Sequence, residues 1–343
     1  MHELLNQLST IANRIKNVEG DREKLGKFIK DMKETIKFDC PEVAETTLTV
    51  KVDSVNLSGM KVIGIDGGLS QHEYHGMDMI LTRAVAAIFN YSDGKLEVDY
   101  YPSPIVSPKL TIITDPYDDT DFSKSASLER QKTEIELALE VFNKFNPDLL
   151  LLDGSIVPHM NDRAGKDSNA SEKYQNVLNI FSNLYKSANG KLAGCVEDSR
   201  GRRFCDILKK KITDDALKKI LDGTKDTNLL YHILETGERT CVFRLNNDLS
   251  NIYSFYIKTA EYDRPVRIDF YADSDVVNSA NNIASIVLAT SCHDTYGIPT
   301  PIIEADCRAK LKEHDVDALH DQLVDMVGIT PGLMKLRREQ RPL

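Results

Sequence analysis

No stretch of this chain stays apolar over the roughly 18 residues that a membrane helix needs, so a helical span is excluded as the basis of its function. The amino terminus, MHELLNQLSTIANRIK, spaces leucine and isoleucine among polar side chains at helical intervals. It lacks the apolar stretch and cleavage site of a secretory signal, and a cytoplasmic protein is expected. The six cysteines, at 40, 195, 205, 241, 292 and 307, form no CxxC pair and have no histidine at zinc spacing. They read as reduced, buried small hydrophobes and not as a disulfide frame or a zinc site. Internal repeats and low-complexity linkers are missing too. So is any excess of positive charge: 43 Lys and Arg stand against 53 Asp and Glu, a net charge of −10. That balance does not announce a nucleic-acid binder. A basic stripe can still line a groove on an acidic protein, and a site rich in carboxylates adds to the negative sum.

What is present suffices for a globular fold. With 343 residues, 41% hydrophobic and 28% charged, the chain can bury one large core or two ordinary ones. Residues 1–36 carry Leu4, Leu5, Leu8, Ile11 and Ile15, then Leu25, Phe28, Ile29 and Met32, at helical spacing. A helical arm that packs or dimerises is expected over 1–45. Residues 37–60 are mixed, with a strand-forming stretch TTLTVKV. KVIGIDGG then reads as a buried strand closed by a turn, and MDMILTRAVAAIFNY as a second strand. YSDG supplies hairpin chemistry before a third, KLEVDYYPSP. From Ser125 to Phe145 apolar residues recur at helical spacing, and NPDLLLLDGS ends a fourth strand, apolar throughout and so central. Strand, strand, strand, helix, strand is the opening of a ribonuclease H-like fold. The expected class is α/β, a mixed central sheet flanked by helices. One domain is expected over 46–330, with a tail over 331–343.

Two of these strands end alike, in Ile65-Asp66-Gly67-Gly68 and Leu152-Asp153-Gly154-Ser155. Asp-Gly is a common turn, but an Asp at the end of a buried strand also projects from a rigid support. If the first and fourth strands lie side by side and parallel, the two carboxylates face each other. Their repulsion calls for a divalent cation, and hard oxygen ligands suit Mg2+ or Mn2+. Among Glu129, Glu134, Glu136 and Glu140 on the intervening helix, Glu134 is the best third ligand. Glu136 points about 200° away from it on an ideal helix.

The chain resembles the NurA nucleases over residues 60–312. The resemblance rests on VIGIDGG, RQKTEIELALEVF leading to LLLLDGS, GCVEDSRGRR, DTNLLYHILETGERT, IYSFYIKTA with PVRIDF, and GIPTPIIEADCRAKL. It implies that Asp66 and Asp153 are the principal metal ligands and Glu134 the helical acidic ligand. It also implies a DNA-end-processing nuclease that resects 5′ to 3′, works as a homodimer and partners a HerA-like hexameric ATPase. In related enzymes Gly-Tyr-Pro is followed by Ala-His; here Gly297-Ile298-Pro299 precedes Ala305-Asp306, which makes Asp306 a candidate last ligand. On its helix, Asp306 is expected within a packed face formed by Ile302, Ile303 and Ala309. Relatives carry Ser-Lys before Asp-Ser, whereas Glu197 stands here at the Lys position.

Arg200, Arg202 or Arg203 could take over contact with a phosphate, since guanidinium pairs with it in bidentate fashion; a surface turn is the equal alternative. Arg267 alternates with Asp269 on one strand, as an intrastrand salt bridge or a DNA contact. Arg200, Arg203 and Arg267 are thus the candidate substrate contacts. His72, His75, His159 and His293 sit at no ligand spacing. Two other functions stay open: a degenerate subunit that only docks on the ATPase, and a sugar kinase or actin-like ATPase. The latter needs a duplicated half with a second phosphate loop, and the chain has no such duplication.

Overall fold

The structure, a computed structural model, describes residues 2–246, 250–328 and 330–337. Helix α1 (His2–Asp31) and strand β1 (Thr49–Lys51) come first, then strands β2 (Lys61–Glu73), β3 (Asp78–Ser92), β4 (Lys95–Tyr101) and β5 (Lys109–Ile113). Helix α2 (Asp119–Phe145) leads into β6 (Leu149–Asp153), and α3 (Ser171–Ser187) into β7 (Leu192–Val196). Short helices α4 (Arg203–Lys209), α5 (Asp215–Asp222) and α6 (Asp226–Ile233) follow. Next are β8 (Glu238–Thr240), β9 (Phe243–Arg244), β10 (Ile252–Ile257) and β11 (Val266–Tyr271). The last helices described are α7 (Val276–Thr290), α8 (Thr300–Ala309) and α9 (Glu313–Val327).

These elements divide into two compact units. One comprises Met1–Asn56 and Cys195–Pro299, the other Leu57–Gly194 and Thr300–Leu343. The expected span 46–330 therefore holds parts of both, and residues 338–343 of the expected tail lie outside the described residues.

In the first unit, β8 pairs antiparallel with β1 and β10, and β10 with β9 and β11. The end of α1 sets Leu25 and Ile29 into a core with Leu229, Leu230 and Ile233 of α6. Its opening turns do not join that core: Leu4, Leu5, Leu8, Ile11 and Ile15 are 52–58% exposed.

The second unit is built on β2. Antiparallel pairing with β3 runs from Lys61↔Asn90 to Glu73↔Asp78, and β6 lies parallel on the other edge, from Val62↔Leu149 to Ile65↔Leu152. Strand β3 takes β4 along one half of its outer edge and β5 along the other. Helices α2 and α8 both pack on β2 and β3, so Val62 to Gly68 are buried without a break. A strand covered on both faces is apolar throughout and does not alternate. The expected mixed sheet and order of elements are found, with β5 inserted ahead of the helix.

One expectation is overturned. Asp66-Gly67-Gly68 is not a turn: β2 continues through it to Glu73. The glycines serve close approach instead. A Cβ on Gly64 would stand 2.2 Å from Pro301 O, and one on Gly68 1.9 Å from Ala309 O, so α8 presses on the strand along its length. Gly67 faces the other way, and its Cβ would meet Glu134 Oε2 at 3.1 Å. Gly154, by contrast, is a true turn glycine with φ +95°. Helix α2 also starts earlier than expected, because the Asp118 side chain accepts from the Thr120 and Asp121 amides and caps it.

Candidate active site

The register that pairs Ile65 with Leu152 sets Asp66 and Asp153 side by side at the next step of two parallel strands. Pleating puts Asp66 on the same face as Gly64 and Gly68, the face covered by α8. Asp66 is buried, and Asp153, at the strand's end, is half-buried. Glu134 reaches the site from α2. It is 5% exposed, and its Oε2 accepts from Arg130 Nη1 at 3.0 Å. Arg130 also donates to Gly67 O at 3.4 Å, tying the helix to the strand beside Asp66.

The acids perturb one another. Burial, reinforced by the charges of Asp66 and Asp153, pushes the Glu134 carboxyl up to about 8 against the pull of Arg130. Burial also raises Asp66, with the charge of Asp306 adding to it, against the Gly67 amide and Arg130. Asp66, Glu134, Asp153 and Asp306 thus form one electrostatic cluster in one unit, with Arg130 the cation that acts on both Asp66 and Glu134. Arg130 went unnoticed in the sequence, although its place four residues before Glu134 on a helix was a signal.

The other helix acids are engaged elsewhere. Glu129 pairs with Lys173 at 3.0 Å, Glu136 lies near Lys132 at 3.9 Å, and Glu140 accepts from the Tyr101 hydroxyl. Asp306 is not on a buried face as expected. Ile302, Ala305 and Ala309 are buried, Ile303 is half-buried, and Asp306 is exposed. Its claim rests on its field at Asp66, not on burial. Arg308, two residues on, binds Glu304 at 2.9 Å.

These residues suit a divalent metal by chemistry: hard oxygen donors on rigid supports, Asp66 and Glu134 buried among them, with more negative charge than Arg130 offsets. Among the described residues no three His, Cys, Asp or Glu side chains already converge in metal-holding geometry.

The candidate substrate arginines belong to the other unit. Arg200 is exposed, with no side-chain partner among the described residues. The Nε of Arg203 donates to Arg244 O at 3.4 Å. Arg202 binds Asp222 O and Leu221 O, and so caps the end of α5. Arg267 makes the intrastrand pair with Asp269 at 3.0 Å and donates to Ser199 Oγ at 3.2 Å. That Oγ lies 3.1 Å from the Tyr256 hydroxyl, and Tyr256 donates to Asp226 at 3.0 Å. Asp226 in turn accepts the Phe204 and Cys205 amides at the start of α4. This buried network fixes the loop bearing Arg200, and it makes Arg267 a structural residue first. Ile298 is 4% exposed and serves packing. Glu197 accepts from the Tyr296 hydroxyl at 3.0 Å.

A NurA domain model matches residues 60–311. Against curated proteins, no match was found. Among solved structures, the NurA nuclease from Sulfolobus solfataricus aligns with a TM-score of 0.60 at 17% identity, covering 95% of this chain and 97% of that one. A NurA crystal structure aligns at 0.53 and 12% identity, over 96% and 100% of the two chains. A NurA structure with manganese aligns at 0.51 and 9% identity, over 95% and 98%. At these identities the likeness establishes the ribonuclease H-like fold.

Proposed function

The chain belongs to the NurA family, and from that premise we propose that its carboxylate cluster carries out phosphodiester hydrolysis in DNA. The enzyme is a metal-dependent nuclease. Asp66, Glu134 and Asp153, with Asp306, are the residues that hold Mn2+ or Mg2+; when bound, the metal supplies activation of water and neutralisation of phosphate charge. The observation that carries the reading is the parallel register of β2 and β6, which puts Asp66 next to Asp153 while Glu134 is buried within their field. The manganese in a related NurA structure supports the choice of ion.

The chain's own residues do the rest. Close packing of α8 on Gly64 and Gly68 covers the face of β2 that carries Asp66, and Arg130 holds Glu134 in place. Arg200 and Arg203 meet backbone phosphates, with Arg267 bracing their loop through Ser199. Phosphate contacts position a strand without reading its sequence. Two copies of the chain act as a homodimer in the cytoplasm, on DNA ends and with a HerA-like ATPase, in end resection or double-strand break repair.

A plasmid-nicking assay tests this. Wild type should nick and linearise DNA with Mn2+ and stop with EDTA, while Asp66→Ala and Asp153→Ala should each lose cleavage with far-ultraviolet circular dichroism unchanged. Either variant keeping more than a few per cent of wild-type activity at saturating Mn2+ would refute the two-Asp site.

A further inference from the structure

Arg83 takes no part in the site as described, and among the described residues it has no carboxylate partner. It is half-buried on β3, and each nitrogen of its guanidinium donates to a backbone carbonyl. Nε reaches Ala309 O at 3.2 Å, Nη2 reaches Lys310 O, and Nη1 reaches Val106 O at 3.2 Å. Ala309 ends α8 and Lys310 follows it, so two of the three acceptors are carbonyls that a helix end leaves without a partner inside the helix. A cation placed there also meets the negative end of the helix dipole. The third acceptor lies between β4 and β5. The donors of Arg83 are thus committed to fixing backbone, and most of them to one end of α8.

That end of α8 is also the one that presses on Gly68. The register of β2 and β3 sets Arg83 directly across from Gly68, and side chains paired in this way share a face of the sheet. Gly68 clears the space into which Ala309 O enters, and Arg83, beside it, binds the same oxygen. Asp306 lies in this last turn of the helix. The Lys310 amide donates to Asp306 O at 3.1 Å, so the residue whose carbonyl Arg83 binds is itself bonded to the backbone of Asp306. The Asp306 side chain is exposed, with no hydrogen-bond or ion-pair partner among the described residues, while its charge acts on Asp66. With no bond on the carboxylate, its place relative to Asp66 is set by the backbone of the turn that carries it.

We propose that Arg83 is a positioning residue for metal binding: by holding the carbonyls at the end of α8 against β2, it sets the reach of Asp306 toward the ion held at Asp66. This rests on the metal-site reading and deepens it, adding a residue that touches neither metal nor substrate and acts through Asp306. Groups that orient a metal's ligands from outside typically cost ten- to a hundredfold in affinity when removed. A guanidinium suits the task because its fork spans several acceptors at fixed spacing, which a single ammonium cannot do.

The test is a double-mutant cycle in the full-length protein, with Mn2+ affinity read by titration calorimetry. Arg83→Gln and Asp306→Ala should each weaken Mn2+ binding about tenfold. In the Asp306→Ala background, Arg83→Gln should change the affinity by less than about twofold, since two changes that act through one ligand do not add. Arg83→Lys should fall between wild type and Arg83→Gln, and it carries the same cycle if circular dichroism shows the glutamine variant unfolded. An equal loss in both backgrounds would make Arg83 a support of the fold alone and overturn the inference. Wild-type affinity in Arg83→Gln, or in Asp306→Ala, overturns it as well. A wild type that binds no Mn2+ overturns the metal-site reading and this inference with it.

Discussion

At the scale of single residues, the proposed chemistry turns on how protons and metal compete for Glu134. An ordinary glutamate sits near 4.5, and burial beside Asp66 and Asp153 pushes this one up to about 8. A raised carboxyl favours the protonated folded state. Its contribution to stability is complete below the ordinary value and is lost as pH rises through about 8. The metal-free protein should therefore melt at lower temperature at pH 8 than at pH 5, and Glu134→Gln should flatten that part of the profile. A melting curve for the variant as steep with pH as wild type would contradict the assignment. Metal needs the carboxylate, so Mn2+ affinity should climb from pH 6 to 8, with protons released on binding in titration calorimetry. Asp306, whose charge reaches Asp66, should matter in the same assay. Asp306→Ala should raise the Mn2+ concentration needed for half-maximal cleavage about tenfold, the lower end of what supporting groups cost a metal site. An unchanged Mn2+ requirement removes Asp306 from the ligand set.

At the scale of elements, the site depends on how closely two helices approach one strand. Gly68→Ala would place a methyl 1.9 Å from Ala309 O, where backbone cannot yield as a flexible side-chain tip can. Pushing α8 away should cost about 1–3 kcal/mol and should weaken Mn2+ binding as well, because α8 carries Asp306. The contrasting change is Gly20→Ala in the exposed part of α1. Nothing lies within 4 Å of a Cβ there, and glycine inside a helix is disfavoured by about 0.5–1 kcal/mol relative to alanine. That substitution should stabilise the helix. Chemical denaturation of the two variants, with midpoints shifted in opposite directions, is the expected result; equal shifts would mean that α8 does not press on β2.

At the scale of the whole molecule, α1 carries more apolar surface than its own unit covers. Leu4, Leu8, Ile11, Ile15 and Val18 recur in steps of four and three, the seam of a coiled coil. They are 40–58% exposed, while Leu25 and Ile29, further along the helix, are buried at 0%. A seam that is core at one end and bare at the other suits a second copy of the chain. Light scattering should return twice the chain mass of 38.6 kDa, and Leu8→Glu combined with Ile11→Glu should return 38.6 kDa with cleavage chemistry intact. A wild-type mass of one chain at micromolar concentration would defeat the dimer.

The sequence by itself determined the order of elements around the site and the acids that could serve in it. Apolar runs such as KVIGI and LLLL are strands because a strand covered on both faces is mostly apolar and does not alternate, and the spacing from Ser125 to Phe145 marks a helix because one of its faces is core. Asp66 and Asp153 stand out because each follows an apolar run, and Glu134 because it lies on the helix leading into the second of them. What only the tertiary structure decided depends on neighbours distant in the chain. The glycines after Asp66 look like a turn to any local rule, and only the backbone of α8 and the side chain of Glu134 lying against them explain why they must lack a Cβ. Asp306 looked buried by its helical spacing, yet the face that α8 turns to the sheet is set by Gly64 and Gly68, and Asp306 falls just outside it. Arg267 pairs with Asp269 and supports Ser199 because Tyr256 and Asp226 meet it from elsewhere in the fold. Local pattern specifies which side chains an element can bury; which partner a buried charge finds is set by packing, and packing is not periodic.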